Sequence, residues 1–242
     1  MTSTAVPSAG LDPARRIVAT RAVVDLGGDV GARMSDGPDP VEASRRYAEL
    51  AATYERRVRL TSRWRPGVVR HLGLAPGDHV LDVGCGTGAN LPHLVAAVGA
   101  SGHVTGIDLS EAMATRARAR VAENRWGNVD IVVGDAATAP LPATVDGALF
   151  FLVHDLVRSR PVVDRIVDAC RPGARVVAFG PKWASRWAWP LNALVRRGVR
   201  PYVTTFEGLD TPWDLLERRL DQFSVRQLAL GTLYLAEGSV AS

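Results

Sequence analysis

Between residues 79 and 180 the sequence alternates short, predominantly apolar runs with amphipathic ones, and this alternation limits the fold more than any other feature. The runs HVLDVG, HVTGID, VDIVVGD, DGALFFLV and ARVVAFG are apolar on both faces, as strands covered on both sides must be. Between them lie helical patterns: NLPHLVAAVG, closed by Gly99; SEAMATRARARVAENR, which Ser110 can cap; and PVVDRIVDAC, with Pro161 near its first turn. Val162, Val163, Ile166, Val167 and Cys170 of the last share one side. The alternation predicts an α/β fold, a parallel sheet with helices on both faces and ligands bound where strand order reverses. The tail departs from this: TPWDLLERRL reads as a helix, and SVRQLALG and TLYLAEG as two strands joined by a tight glycine turn. That connection is too short for a parallel crossover, so the last two strands are predicted to pair as an antiparallel hairpin.

Upstream, residues 1–40 are expected to be an N-terminal extension, a flexible tail or a cap, and 41–242 the domain proper. DLGGDVGARMSDGPDP has linker composition, and PARRIVATRAVV can form one short helix. From Val41, Tyr47, Leu50, Tyr54 and Val58 recur at helical steps, and RPGVVRHLGL forms a second helix that stops before APGD. With 242 residues, 47% of them hydrophobic, the chain can bury a large core without covalent staples. Its two cysteines, Cys85 and Cys170, make no disulfide framework and no metal cluster; reduced thiols in a cytoplasmic protein without a metal are expected. No apolar run is long enough to span a bilayer, and no secretion signal is expected. The net charge of +4 permits nucleic-acid or acidic-membrane binding without requiring either.

The loop LDVGCGTGAN follows the first strand. It lacks the Lys-Ser or Lys-Thr of a phosphate loop, and its spacing, Asp82-x-Gly84-x-Gly86-x-Gly88, differs from the G-x-G-x-x-G of dinucleotide folds. A carboxylate at Asp82 would repel pyrophosphate and suits a cation such as a sulfonium or an amino group. Asp108 closes the second strand and Asp135 the third. An acid at Asp108 also fits an NAD-dependent oxidoreductase, but such an enzyme needs none at Asp135.

With these three acids and this loop, the chain resembles the class I S-adenosylmethionine-dependent methyltransferases. It is most similar to the branch acting on ubiquinone and menaquinone precursors, lipids and secondary metabolites. The resemblance implies a Rossmann-like, seven-stranded, mostly parallel sheet ending in the antiparallel hairpin, and S-adenosyl-L-methionine as cofactor. It implies that Asp82, Gly84, Cys85, Gly86 and Gly88 form the first cofactor motif, and that Asp108 accepts the ribose hydroxyls. Leu109 and Met113 would flank the adenine, the Asp135–Ala136 pair would receive its amino group, and Phe151 would line the cofactor. The Asn/Asp-Pro-Pro-aromatic and Pro-Cys motifs of nucleobase-modifying relatives are absent from FFLVHDLV, so no nucleic-acid substrate is expected.

The acceptor reading rests on three regions. His154 stands near the expected methyl position and is the candidate base for a phenol or enol; the alternative is a histidine that orders its loop. Tyr54 matches a tyrosine that reaches over the cofactor in the quinone and lipid branch, and packing in the core is its alternative. Residues 181–205 mix Trp183, Trp187, Trp189 and Tyr202 with Lys182, Arg186, Arg196, Arg197 and Arg200. This insert is read first as a lid over a lipophilic acceptor, second as a packed helix, third as a membrane contact. Methyl transfer to a small lipophilic acceptor is therefore expected. The rivals are a cyclisation supported by the same cofactor without methyl transfer, and a basic RNA-binding module.

Overall fold

The structure, a computed structural model, describes residues 59–184, 188, 190–200, 203 and 205–241. The extension 1–40, Tyr54, Arg186, Trp187, Trp189 and Tyr202 lie outside the described residues. A 3-10 turn over Arg59–Trp64 leads into α1, Arg65–Arg70, with Pro66 in its first turn, where a missing N–H costs nothing. Then come β1 (His79–Val83), α2 (Leu91–Val98), β2 (His103–Asp108), α3 (Glu111–Asn124), β3 (Val129–Val133) and β4 (Val145–Phe151). They are followed by α4 (His154–Val157), α5 (Arg160–Ala169), β5 (Cys170–Pro181), α6 (Leu191–Val199), α7 (Asp214–Glu217), β6 (Asp221–Leu228) and β7 (Leu233–Ser239).

The seven strands form one sheet in the order β3-β2-β1-β4-β5-β7-β6. Neighbours among the first five run parallel, while β7 is antiparallel to both β5 and β6. This is the predicted architecture, and strand order reverses between β1 and β4. Alternate strand residues face opposite layers. Val80, Val104, Leu149, Phe151 and Val177 pack with Leu91, Leu94 and Val98 of α2. Leu81, Ile107, Ala148, Phe150 and Val176 pack with Val162, Val163, Ile166 and Val167 of α5. Each such side chain removed from water contributes about 1.5–3 kcal/mol, which makes the central strands the rigid platform of the molecule.

Ser110 caps α3 as predicted, its Oγ accepting from the Met113 N–H at 3.4 Å. Two local expectations change. The TPWDLLERRL pattern contracts to the four residues of α7, since the chain must reach the sheet edge at Asp221 and Leu216 is the side chain it buries fully. The segment Arg171-Pro172-Gly173, which reads in the sequence as a turn before the strand ARVVAFG, becomes an irregularity within β5: Cys170 pairs with Val145, and regular pairing resumes at Gly147–Arg175. Gly173 adopts φ 78° there, which a side-chain-free residue accommodates.

Candidate active site

The carboxyl ends of β1, β2 and β3 bring Asp82, Asp108 and Asp135 to one edge of the sheet. Asp82 is fully buried. Both of its oxygens accept from the Asn90 side-chain amide, at 3.0 and 3.2 Å. The Arg65 guanidinium donates to the Asn90 carbonyl and lies over the Phe151 ring, its Cζ 4.4 Å from the ring centroid. Arg65 and Asn90 are themselves buried. A chain of contacts thus runs from α1 through the start of α2 to the end of β1, with a neutral amide between the two charges.

That separation leaves Asp82 short of compensation. Burial pushes its carboxyl up to about 6, against the pull of the Asn90 hydrogen bonds and the Arg65 charge; Asp108 pushes the same way. Asp108 accepts backbone N–H groups from Gly86 at 2.8 Å and Ser110 at 2.9 Å. Even so, burial holds its carboxyl above the usual range. Asp135 uses Oδ1 to accept the Ala137 N–H at 2.8 Å, folding the turn after β3 around itself.

The three glycines of the loop have distinct duties. All take positive φ: 68° at Gly84, 57° at Gly86 and 74° at Gly88. A Cβ at Gly84 would fall 2.6 Å from Val153 Cγ1, and one at Gly88 would fall 2.6 Å from Leu91 Cδ1. Two of the glycines therefore serve the protein's own packing as much as any ligand. Gly86 is the one that turns its N–H to Asp108. Thr87, between Gly86 and Gly88, has a buried hydroxyl without a hydrogen-bond partner. Cys85 is buried with its sulfur against β2, where a Cβ on Gly106 would lie 2.9 Å from Sγ, and burial pushes its thiol well up. Any contact it makes in the cradle is through its backbone. Met113 is fully enclosed, Ala136 is buried and Leu109 is half-exposed, so Leu109 offers the more open flank. Phe151 stacks on Phe179 with centroids 4.9 Å apart, and Arg65 lies over it.

At the end of β4, Leu152 takes φ 61°, a strained turn for a branched residue, and the chain drops onto the glycine loop. Val153 and Leu156 meet Gly84 there, so α4 sits against the loop, with His154 as its first residue. His154 Nε2 donates to the Glu207 carbonyl at 3.3 Å, and its Nδ1 is buried without a partner. Burial lowers its pKa to about 4. The loop-ordering role is thus visible in the contacts, and the ring is neutral near pH 7. Beside it, the Arg158 guanidinium fills the place that a Cβ on Gly208 would take.

The insert after β5 closes at its neck, where the Trp183 N–H donates to the Leu209 carbonyl at 2.9 Å. Above the neck, Trp183 stacks on Phe206 and Arg196 lies over that ring. Trp183, Ala184, Asn192, Arg196 and Asp210 line an open groove of about 680 Å³.

The residues fit an adenosyl amino-acid cofactor: a buried carboxyl at Asp82 and a partly buried one at Asp108, both held above their usual range, a glycine cradle and an unpartnered buried hydroxyl at Thr87. The acids were legible in the sequence. Arg65 and Asn90 were not, because the contact that makes them part of the site is long-range: 25 residues separate them in the chain.

Comparisons with known proteins agree with this geometry. Residues 80–173 match the family described as Methyltransferase domain. The demethylmenaquinone methyltransferase of Symbiobacterium thermophilum is 31% identical over 177 residues, 66% of this chain and 68% of that protein. The nocamycin O-methyltransferase of Saccharothrix syringae is 37% identical over 123 residues, 49% of this chain and 44% of that protein. Among solved structures, the geranyl diphosphate C-methyltransferase of Streptomyces coelicolor superposes with a TM-score of 0.63 at 18% identity, covering 76% of this chain and 77% of that one. At that identity the likeness establishes the fold.

Proposed function

Because this chain belongs to the class I S-adenosylmethionine-dependent methyltransferases, we propose that it methylates a small lipophilic acceptor, aromatic or lipid-like, at oxygen, nitrogen or carbon. When bound, S-adenosylmethionine supplies a sulfonium methyl group; the acceptor's electron pair forms the new bond as the carbon–sulfur pair returns to sulfur. The protein's part is to hold both reactants in line, exclude water and take the acceptor's proton.

Asp82 would take the α-ammonium of the cofactor, which supplies the compensating charge that its buried carboxyl lacks. Arg65, joined to Asp82 through Asn90, would take the α-carboxylate, so that the three residues read a zwitterion. Asp108 would accept the ribose hydroxyls. Asp135 and Ala136 would meet the adenine edge with Leu109 and Met113 at its faces, and the Thr87 hydroxyl and the Phe151 ring would complete the wall. His154 would offer Nδ1 to the acceptor's proton, its Nε2 being held as the donor to Glu207, and its burial makes it a weak base in that role. Residues 181–205 would be the lid, with the groove lined by Trp183, Ala184 and Asn192 receiving a lipophilic acceptor. Tyr54 would reach over the cofactor from the segment before α1. The related proteins whose names specify demethylmenaquinone, nocamycin or geranyl diphosphate support an acceptor of this class. Two buried free thiols suit a reducing, cytoplasmic compartment.

The observation that carries the donor half is the Asp82–Asn90–Arg65 chain beside the glycine loop. Calorimetric titration with S-adenosylhomocysteine tests it, and absence of saturable binding would sink it. Incubation with methyl-labelled cofactor and a panel of phenols, quinols and prenyl compounds tests the acceptor half. Turnover without label in the product would replace transfer by a cofactor-supported rearrangement.

A further inference from the structure

Two large apolar side chains stand in water among the described residues, Leu194 at 68% exposure and Leu230 at 63%. They are far apart in sequence but belong to the same rim. Leu194 is on α6, within the insert that leaves the sheet at Pro181. Leu230 is in the turn between β6 and β7, and Leu233, the first residue of β7, pairs with Pro181. Lys182 joins the two segments: its N–H donates to the Thr232 carbonyl at 2.9 Å, and its Nζ reaches the Trp183 and Gly231 carbonyls at 2.6 and 3.4 Å. Since β1, β4 and β5 are parallel, this rim is at the same end of the sheet as Asp82.

Leu230 is in an unfavourable place twice over. Its φ of 58° and ψ of 29° are left-handed, and Ala229 before it has φ 49°. Glycine or asparagine would make that turn without strain. The fold instead holds a branched apolar side chain in a disfavoured conformation and in water, a combination that marks a site of use.

The charge is arranged to match. From 182 to 206 the sequence has five basic residues, Lys182, Arg186, Arg196, Arg197 and Arg200, and no acid. The net charge of the whole chain is +4, so the rest of it is close to neutral. On α6, Val195 and Val199 turn inward and pack with Val203, Trp183 and Phe206. The outward residues are Ala193, Leu194, Arg196, Arg197, Gly198 and Arg200. The outer face is therefore an exposed leucine set among arginines.

We propose that this rim docks on an anionic phospholipid surface, with Leu194 and Leu230 entering the acyl boundary and Arg197 and Arg200 meeting headgroup phosphates. Leucines gain by leaving water for acyl chains and offer nothing to a phosphodiester backbone. A single-stranded nucleic acid would be read by exposed rings, whereas Trp183 and Phe206 stack on each other. No helix among the described residues is long and apolar enough to cross a membrane, so the contact is peripheral and reversible. The docking goes beyond the methyl-transfer reading. It gives that reading a route by which a lipophilic acceptor reaches the site without crossing water.

Flotation of the full chain with vesicles tests this, comparing phosphatidylcholine mixed with phosphatidylglycerol against phosphatidylcholine alone. The expected result is association with the anionic vesicles that fades as salt is raised. Arg197→Glu with Arg200→Glu should lower partitioning by about 25-fold or more, roughly fivefold for each arginine lost. Leu194→Ala with Leu230→Gly should lower it by about tenfold or more per leucine. Glycine suits the positive φ at 230, so this variant should melt no lower at that turn than the parent. Equal flotation of parent and variants, or no flotation of the parent, would overturn the proposal. So would arginine-dependent binding of single-stranded RNA without vesicle binding. Titration of the parent with S-adenosylhomocysteine in the absence of lipid reports on the methyl-transfer reading separately.

Discussion

Lowering the pH from 7 to 5 should weaken binding of S-adenosylhomocysteine, and Asp82 sets the size of the effect. Its carboxyl titrates near 6 in the free protein, because it is fully buried and its nearest partner is a neutral amide. The ligand's ammonium needs the ionised form, and that ammonium stays protonated across the window. The ionised fraction of a group titrating near 6 falls from about nine-tenths at pH 7 to about one-tenth at pH 5, roughly a tenfold loss of affinity or about 1.4 kcal/mol. His154, lowered to about 4, remains neutral throughout and adds nothing. Calorimetry in buffers of different ionisation enthalpy at intermediate pH should show protons released on binding, and Asp82→Asn should bind weakly and remove most of the slope. An affinity constant to within about twofold from pH 7 to 5, with no buffer-dependent heat, would refute the electrostatic account of this site. Thermal melting is a poorer probe. With its folded pKa raised, Asp82 favours the free protein at low pH and loses about 3 kcal/mol of that contribution as pH rises through 6. His154, with its folded pKa depressed, acts in reverse: its contribution is present above 6.5 and is lost as pH falls towards 4.

Arg65→Leu should weaken S-adenosylhomocysteine more than methylthioadenosine, which lacks the amino-acid tail, and should move the Asp82 titration further up; equal losses for both ligands would exclude the zwitterion reading. His154→Leu should reduce the drop in stability between pH 7 and 5 by about 2 kcal/mol, measured by denaturant titration, since the wild-type ring resists protonation while the unfolded chain accepts it. If His154 takes the acceptor's proton, the same variant should lose turnover while keeping its affinity for S-adenosylhomocysteine. Gly88→Ala should cost about 1–3 kcal/mol, from its φ of 74° and the contact with Leu91. Gly127→Ala, which meets nothing within 4 Å and has no positive φ, is the matched control and should be close to neutral.

The parts of this protein that could be read in advance share one property: their cause is local. The strands are continuous apolar runs and the helices carry period-3.6 stripes, so burial on two faces follows from residues a few positions apart. Asp82, Asp108 and Asp135 could be placed at one edge because each closes a strand and parallel strands end together. What escaped depended on distant segments. The exposed or buried state of His154 turned on Glu207, which is 53 residues away. The duties of Gly84 and Gly88 turned on Val153 and Leu91 pressing into them, so the loop's spacing signalled packing as well as ligand. The helical pattern TPWDLLERRL was cut short by the need to enter the sheet at Asp221.

The sequence by itself determined the layered α/β architecture, the antiparallel end and the ring of strand-end acids, since hydrophobic period and turn chemistry act over a few residues. The tertiary structure decided the electrostatics. Only the packing of α1 against β4 brings Arg65 over Phe151 and within reach of Asn90, and only full burial turns Asp82 from an ordinary carboxylate into one near 6. Desolvation depends on everything that surrounds a group, and a chain specifies that surrounding only when it has folded.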